Sequence, residues 1–172
     1  AYGNARRFST VNHFVNFGTT LGSKLDFQGM ETLTIEAAVR LTSNALDQHI
    51  IFENGEVQFM VSNNRPSAFI RQAGGFLGLA SEQTLSVGTN YRLAMVLAND
   101  KLTLFIDGVP AGAVTIPAPI APPQFTTLQG FMGGNIFGNF FPGYIDNVRI
   151  SDVARIDGID PQIVSFAPTQ DS

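Results

Sequence analysis

The stretch TLTIEAAVRLT, residues 32–42, places Leu33, Ile35, Ala37, Val39 and Leu41 at alternate positions, with Thr34, Glu36, Ala38 and Arg40 between them. A period of two belongs to a β-strand whose faces meet different surroundings. Helical periodicity is nearly absent from the 172 residues; short apolar runs recur instead, cut by turn residues. In HIIFENGEVQFMV, residues 49–61, Asn54-Gly55 stands between two apolar arms. Both central residues of a type I′ turn need positive φ, which Asn and Gly tolerate best, so a hairpin of that type is expected. YRLAMVLANDKLTLFIDGVPAGAVTI, residues 91–116, carries two more turns, Asn99-Asp100 and Asp107-Gly108, and predicts a three-stranded meander. SAFIRQ and FLGLAS flank Gly74-Gly75 as a further pair, while PAPIAPP, residues 117–123, lacks the donors of a central strand and reads as a connection.

About ten to fourteen such strands are expected, joined mostly by hairpins. They predict an all-β fold of two packed antiparallel sheets, a jelly-roll sandwich; several connections are too long for an up-and-down barrel. One domain over residues 1–166 is expected, with APTQDS, residues 167–172, as a mobile tail. A chain of this length buries roughly 70% of its unfolded surface, so it needs neither disulfide nor metal to hold together.

Composition excludes several functions. There are no cysteines, hence no thiolate metal site and no cysteine nucleophile. Net charge is −4 with only 10 Lys plus Arg and no basic stripe, which argues against nucleic acid as a partner. No apolar run approaches the ~20 residues of a membrane helix. The start, AYGNARRFST, has no apolar region of a signal peptide, and Ala1 is what loss of an initiator Met leaves. An untargeted product is expected, or the mature form of a secreted one.

Two stretches in series resemble a known family. Tyr91, the strand Leu93–Ala98, the turn Asn99-Asp100 and Phe105-Ile106-Asp107-Gly108 are similar to the paired hairpins of laminin-G-like domains, which share the concanavalin A-like lectin/glucanase fold. Gly133-Gly134, Phe141, Gly143, Ile145-Asp146 and Ala154-Arg155 are similar to that family's closing motif. The family commonly has Trp at the place of Tyr91, and this chain has no Trp. The resemblance covers roughly residues 6–155 and implies a concanavalin A-like jelly roll. The wording GYID, RIS, VAR further resembles versions of the domain in bacteriophage structural proteins.

Glucanases on this fold resemble one another in a strand with Glu-x-Asp-x-x-Glu, and retaining chemistry needs two carboxyls ~5–5.5 Å apart. Among the 14 acidic residues no strand sets two at i and i+2. Glu53 and Glu56 flank the Asn54-Gly55 turn and read as a solvated rim; Asp157 and Asp160 lie in the turn-rich IDGIDP segment, residues 156–161. His13 and His49 stand alone, there is no Gly-x-Ser-x-Gly elbow, and the glycine-rich GGNIFGN lacks the Lys of a phosphate loop. No catalytic residue is expected. Calcium is the alternative to having no cofactor: Asp26, Asp47, Asp100, Asp107, Asp146, Asn63 and Asn64 are scattered oxygen donors that only distant loops would bring together.

Asp146 sits within GYIDNVRIS, where alternation groups it with Tyr144, Val148 and Ile150. A carboxylate at the core's edge must be paired or fed by donors. It is expected to latch the last strand to a nearby loop or terminus, with metal ligation as the alternative. Asp107 reads as a turn residue. The expected contact surface comprises Asn63, Asn64 and Arg65 in SNNRPS, Phe76 in QAGGF, and Phe137 and Phe140 in GNIFGNFF, with Phe141 covering the sandwich end. The leading expectation is a non-catalytic assembly or adhesion module of a phage virion, as capsid decoration, fibre or tail component, docked to virion proteins and forming a homo-oligomer. The alternative is a secreted, lectin-like carbohydrate-binding module, calcium-assisted, that recognises a host-surface glycan.

Overall fold

The computed structural model describes residues 6–8, 13–117, 119–123 and 129–155. The segment 156–161 and the tail 167–172 lie outside them. Twelve strands form two six-stranded sheets. Sheet A runs β1 (Arg6–Phe8), β12 (Gly143–Ser151), β3 (Leu33–Leu41), β8 (Asn90–Ala98), β9 (Lys101–Ile106) and β10 (Val109–Thr115). Sheet B runs β2 (Val15–Thr19), β11 (Gln129–Met132), β4 (Gln48–Glu53), β5 (Val57–Ser62), β6 (Arg65–Gln72) and β7 (Gly75–Ala80). Neighbouring strands pair antiparallel throughout.

The alternation in β3 sends Leu33, Ile35, Val39 and Leu41 into the core beside Leu93, Met95 and Leu97 of β8 and Leu102, Leu104 and Ile106 of β9. Phe52, Phe59, Val61 and Ile70 of sheet B fill the same core. Each such side chain contributes about 1.5–3 kcal/mol through burial. Phe141 is fully buried there as well.

Three hairpins turn on paired left-handed residues: Asn63-Asn64 (φ 50° and 58°), Asn99-Asp100 (51° and 56°) and Asp107-Gly108 (51° and 82°). These are the I′ geometry that matches strand twist. The β4–β5 hairpin departs from the expected type, because of its pair only Gly55 has positive φ (79°). Asn54 is buried, and its Oδ1 accepts from the backbone N–H of Glu56 and Val57 at 3.1 and 3.0 Å. The side chain mimics a backbone turn, which removes the need for a left-handed Asn.

β12 also departs from simple alternation. Its register against β3 shifts between Asp146 and Arg149, with Asn147 at φ 50°. Ile145 opposite Val39 is in the core; after the bulge Val148 and Ile150 return to it. Asp146 lies opposite Ala38, so it does not share a face with Val148 and Ile150 as alternation alone predicts. Another irregularity interrupts β10, between Pro110 and Gly112 at the edge of sheet A.

Candidate functional site

The outer face of sheet B holds a depression of about 300 Å³. β4 supplies Gln48, Ile50 and Glu53, β5 supplies Gln58, and β6 and β7 supply the cross-strand pair Arg71 and Phe76. β11 adds Gln129 and Phe131, and the loop that follows adds Asn135, Phe137 and Asn139. Alternation explains the convergence: residues at every second position of adjacent strands project to one side, so polar residues between core positions form a patch.

The loop 133–139 is built to hold its shape. A Cβ at Gly133 (φ 78°) would lie 2.1 Å from the Phe8 ring, so only glycine fits. Asn135 is buried; its Oδ1 accepts from the N–H of Phe137 and Asn139 at 3.0 and 3.3 Å, and its Nδ2 donates to Glu53 Oε1 at 2.8 Å. The Asn139 carbonyl accepts from the Ile50 N–H at 3.1 Å, and His49 Nδ1 donates to the Phe140 carbonyl. β4 thus grips the loop and its exit through His49, Ile50 and Glu53. What the loop presents is Phe137, 79% exposed, beside Ile136 at 64%.

Burial pushes the Glu53 carboxyl above its usual value, and the Asn135 hydrogen bond pulls the other way. Arg71 lies with its guanidinium carbon 5.7 Å from the centre of the Phe76 ring. Its Nε is buried without an acceptor, and it has no carboxylate partner among the described residues. The patch therefore combines a cation, five carboxamides from Gln48, Gln58, Gln129, Asn135 and Asn139, and aromatic faces. Donors and acceptors of that kind read hydroxyl groups, while an exposed ring covers an apolar ligand face.

The expected contact residues divide. Phe76 and Phe137 lie in this depression. Asn63 and Arg65 are exposed and line a neighbouring hollow that shares Gln48 with it. Asn64 instead fastens a loop: its Oδ1 accepts from the Ala45 N–H at 2.6 Å and its carbonyl from the Leu85 N–H at 2.7 Å. Phe140 is half-buried and stacks on Phe14 at 6.2 Å, so it packs inside rather than offering an anchor.

The acids redistribute as well. Asp146 Oδ1 accepts from the N–H of its neighbour Asn147 at 2.8 Å, which serves the bulge, and among the described residues it bridges to no distant loop. Fastening falls to other groups. Asp107 Oδ1 accepts from the Arg92 N–H at 2.7 Å, tying the β9–β10 turn to β8. Glu56 is not a solvated rim residue: it is 1% exposed, and its Oε2 accepts from the Phe27 N–H at 2.8 Å and Asn54 Nδ2 at 2.9 Å. Asn54 Nδ2 also donates to the Leu25 carbonyl at 2.6 Å, so the turn bolts segment 25–27 to the sandwich. Desolvation raises the Glu56 carboxyl, with the Asp26 carboxylate adding to it. Arg71, Gln58 and Gln129 carry no signal in the sequence beyond their setting between apolar strand positions, and Asn135 none beyond its place in the GNIFGNFF loop. Among the described residues no three of His, Asp and Glu gather as a metal site.

A family model described as the concanavalin A-like lectin/glucanases superfamily matches residues 16–157. The chain belongs to that superfamily. No curated protein matches it in sequence. Solved structures place its jelly roll among other members of the fold. The module named CBM40 of a Ruminococcus gnavus IT-sialidase, bound to α2,3-sialyllactose, superposes with a TM-score of 0.70 at 13% identity, over 91% of this chain and 94% of that one. A Bacteroides ovatus protein provisionally named as carbohydrate binding gives a TM-score of 0.70 at 18% identity, over 90% of this chain. Trypanosoma rangeli sialidase gives 0.62 at 12% identity, again over 90% of this chain. This superfamily chain spans 44% of the Bacteroides protein and 27% of the sialidase. At these identities the likeness is one of fold.

Proposed function

We propose that this chain is a non-catalytic carbohydrate-binding module that holds a glycan on the outer face of sheet B. The observation that carries the reading is the convergence of Glu53, Gln58, Arg71, Gln129 and Asn135 with the rings of Phe76 and Phe137 in one open depression. An open, amide-rich, aromatic-flanked surface suits a ligand made of hydroxyls and apolar C–H faces. Support also comes from the fold's neighbours, one of which carries sialyllactose in its module and another of which is named for carbohydrate binding. The virion assembly role has no such support. Among the described residues Glu53 is the one carboxylate lining the depression, whereas retaining glycoside hydrolysis uses two at ~5–5.5 Å. A module of this kind works where glycans are displayed, outside the cell.

The test is a glycan array of neutral and charged oligosaccharides probed with the wild-type chain and with Phe137→Ala. Retention of at least one glycan class by the wild type, and its loss in the variant, is the expected result. Silence across the array, or binding indifferent to Phe137, would overturn the reading.

A further inference from the structure

We infer that the sheet B depression selects an acidic sugar, with Arg71 taking the sugar carboxylate; this rests on the carbohydrate-binding reading above. Arg71 is the only cation among the described residues that line the depression. It sits opposite Phe76 in the β6–β7 ladder, and the ring lies 5.7 Å from its guanidinium carbon. A guanidinium resting on a ring face keeps its edge free for a planar, two-oxygen acceptor. Its Nε is enclosed by protein, so the terminal nitrogens of the guanidinium are the ones that meet a ligand. A carboxylate meets guanidinium with two parallel hydrogen bonds.

The rest of the depression tolerates that anion. Glu53 is its one acidic lining residue among those described, and Glu53 Oε1 already accepts from Asn135 Nδ2 at 2.8 Å. Burial favours the uncharged form of that carboxyl, which lessens repulsion of a second one. The chain's net charge of −4 disfavours anions at long range, but exposed charges are screened beyond ~8 Å at physiological salt. The local guanidinium therefore decides. Gln58 and Gln129 remain to read the hydroxyls of the same sugar.

The test measures affinity by calorimetry for matched pairs: lactose against sialyllactose, and a neutral glucan oligosaccharide against a glucuronic-acid oligosaccharide. Wild type, Arg71→Gln and Arg71→Lys are compared, with thermal melts to confirm folding. In at least one pair the acidic member is expected to bind tenfold or more tightly than the neutral one, and the pair concerned tells which acidic sugar is taken. Arg71→Gln should erase that preference. Arg71→Lys should keep only part of it, because an ammonium lacks the planar fork. Neutral members bound as tightly as acidic ones, or a preference surviving Arg71→Gln, would overturn the inference while leaving carbohydrate binding intact. Absence of binding to every member would overturn both.

Discussion

The two outer faces of the sandwich are built from the same alternating strands yet hold different chemistry. On sheet A, Ala94, Val96, Ala98 and Phe105 form a second apolar cluster, and a hollow of about 490 Å³ is lined by Val96, Ala98, Thr103, Phe105, Pro110 and Ala113 among others, with Lys101 its one charged residue. On sheet B the smaller depression, about 300 Å³, gathers Glu53, Arg71 and several carboxamides. Volume would favour the first face. The kinds of group that converge favour the second, since small apolar side chains offer a polar ligand no directional bond. Glu36 sharpens the contrast: it is 3% exposed on sheet A, and Arg149 Nε approaches its Oε2 only to 3.9 Å. A charge so enclosed belongs to the architecture; Glu53, hydrogen-bonded at the floor of an open site, is placed to meet solutes.

Substitutions that separate structure from recognition test this division. The largest effect is expected from Phe105→Ala on sheet A: removing a ring that is 5% exposed should cost roughly 3 kcal/mol in urea unfolding. Glycan affinity should be unchanged, and a parallel loss of binding would erase the distinction between the faces. Asn135→Ala should do both kinds of damage. It strips the Phe137 and Asn139 N–H groups of their acceptor, lowering stability by about 1–2 kcal/mol and affinity by tenfold or more. Gln58→Ala is expected to weaken binding several-fold while stability stays within about 0.5 kcal/mol, as for most changes at half-exposed positions.

The smallest effect concerns pH. Burial raises the Glu53 carboxyl above its usual 4.5. The folded chain then binds this proton more tightly than the unfolded chain does. The contribution to stability is fully present below the unfolded value and fades as pH rises through the higher folded one. Glu53→Gln should flatten part of that decline, leaving the part due to Glu56, which is raised in the same direction. A profile unaltered by Glu53→Gln would show that the carboxyl is as free as one in water.

Much of the fold was legible because strand physics is local. The alternation of Leu33 to Leu41 and the pairs Asn99-Asp100 and Asp107-Gly108 each carry their own instruction. Asn54-Gly55 marks its hairpin but not the turn type, because an Asn side chain replaces a backbone turn only when its neighbours offer N–H groups, and those of Glu56 and Val57 become visible only in three dimensions. Glu56 was misplaced for the same reason: its partner Phe27 comes from another part of the chain. Asp146 was assigned to the wrong face because one left-handed residue, Asn147, shifts the register. Of the site, Phe76 and Phe137 stood out as aromatics in glycine-rich surroundings. Arg71, Gln58 and Gln129 did not, since their meeting depends on strand order β11-β4-β5-β6 and no nearby spacing encodes it.

The irregularity between Pro110 and Gly112 bears on how copies of the molecule coexist. β10 borders sheet A, and an outermost strand with a full row of free amides would invite another chain to continue the ladder. Pro110 has no amide hydrogen to offer, and the kink beside it throws the remaining donors out of step. Crowded solutions should therefore remain free of fibres seeded from this border, even though much of the chain is made of residues that favour cross-β stacking.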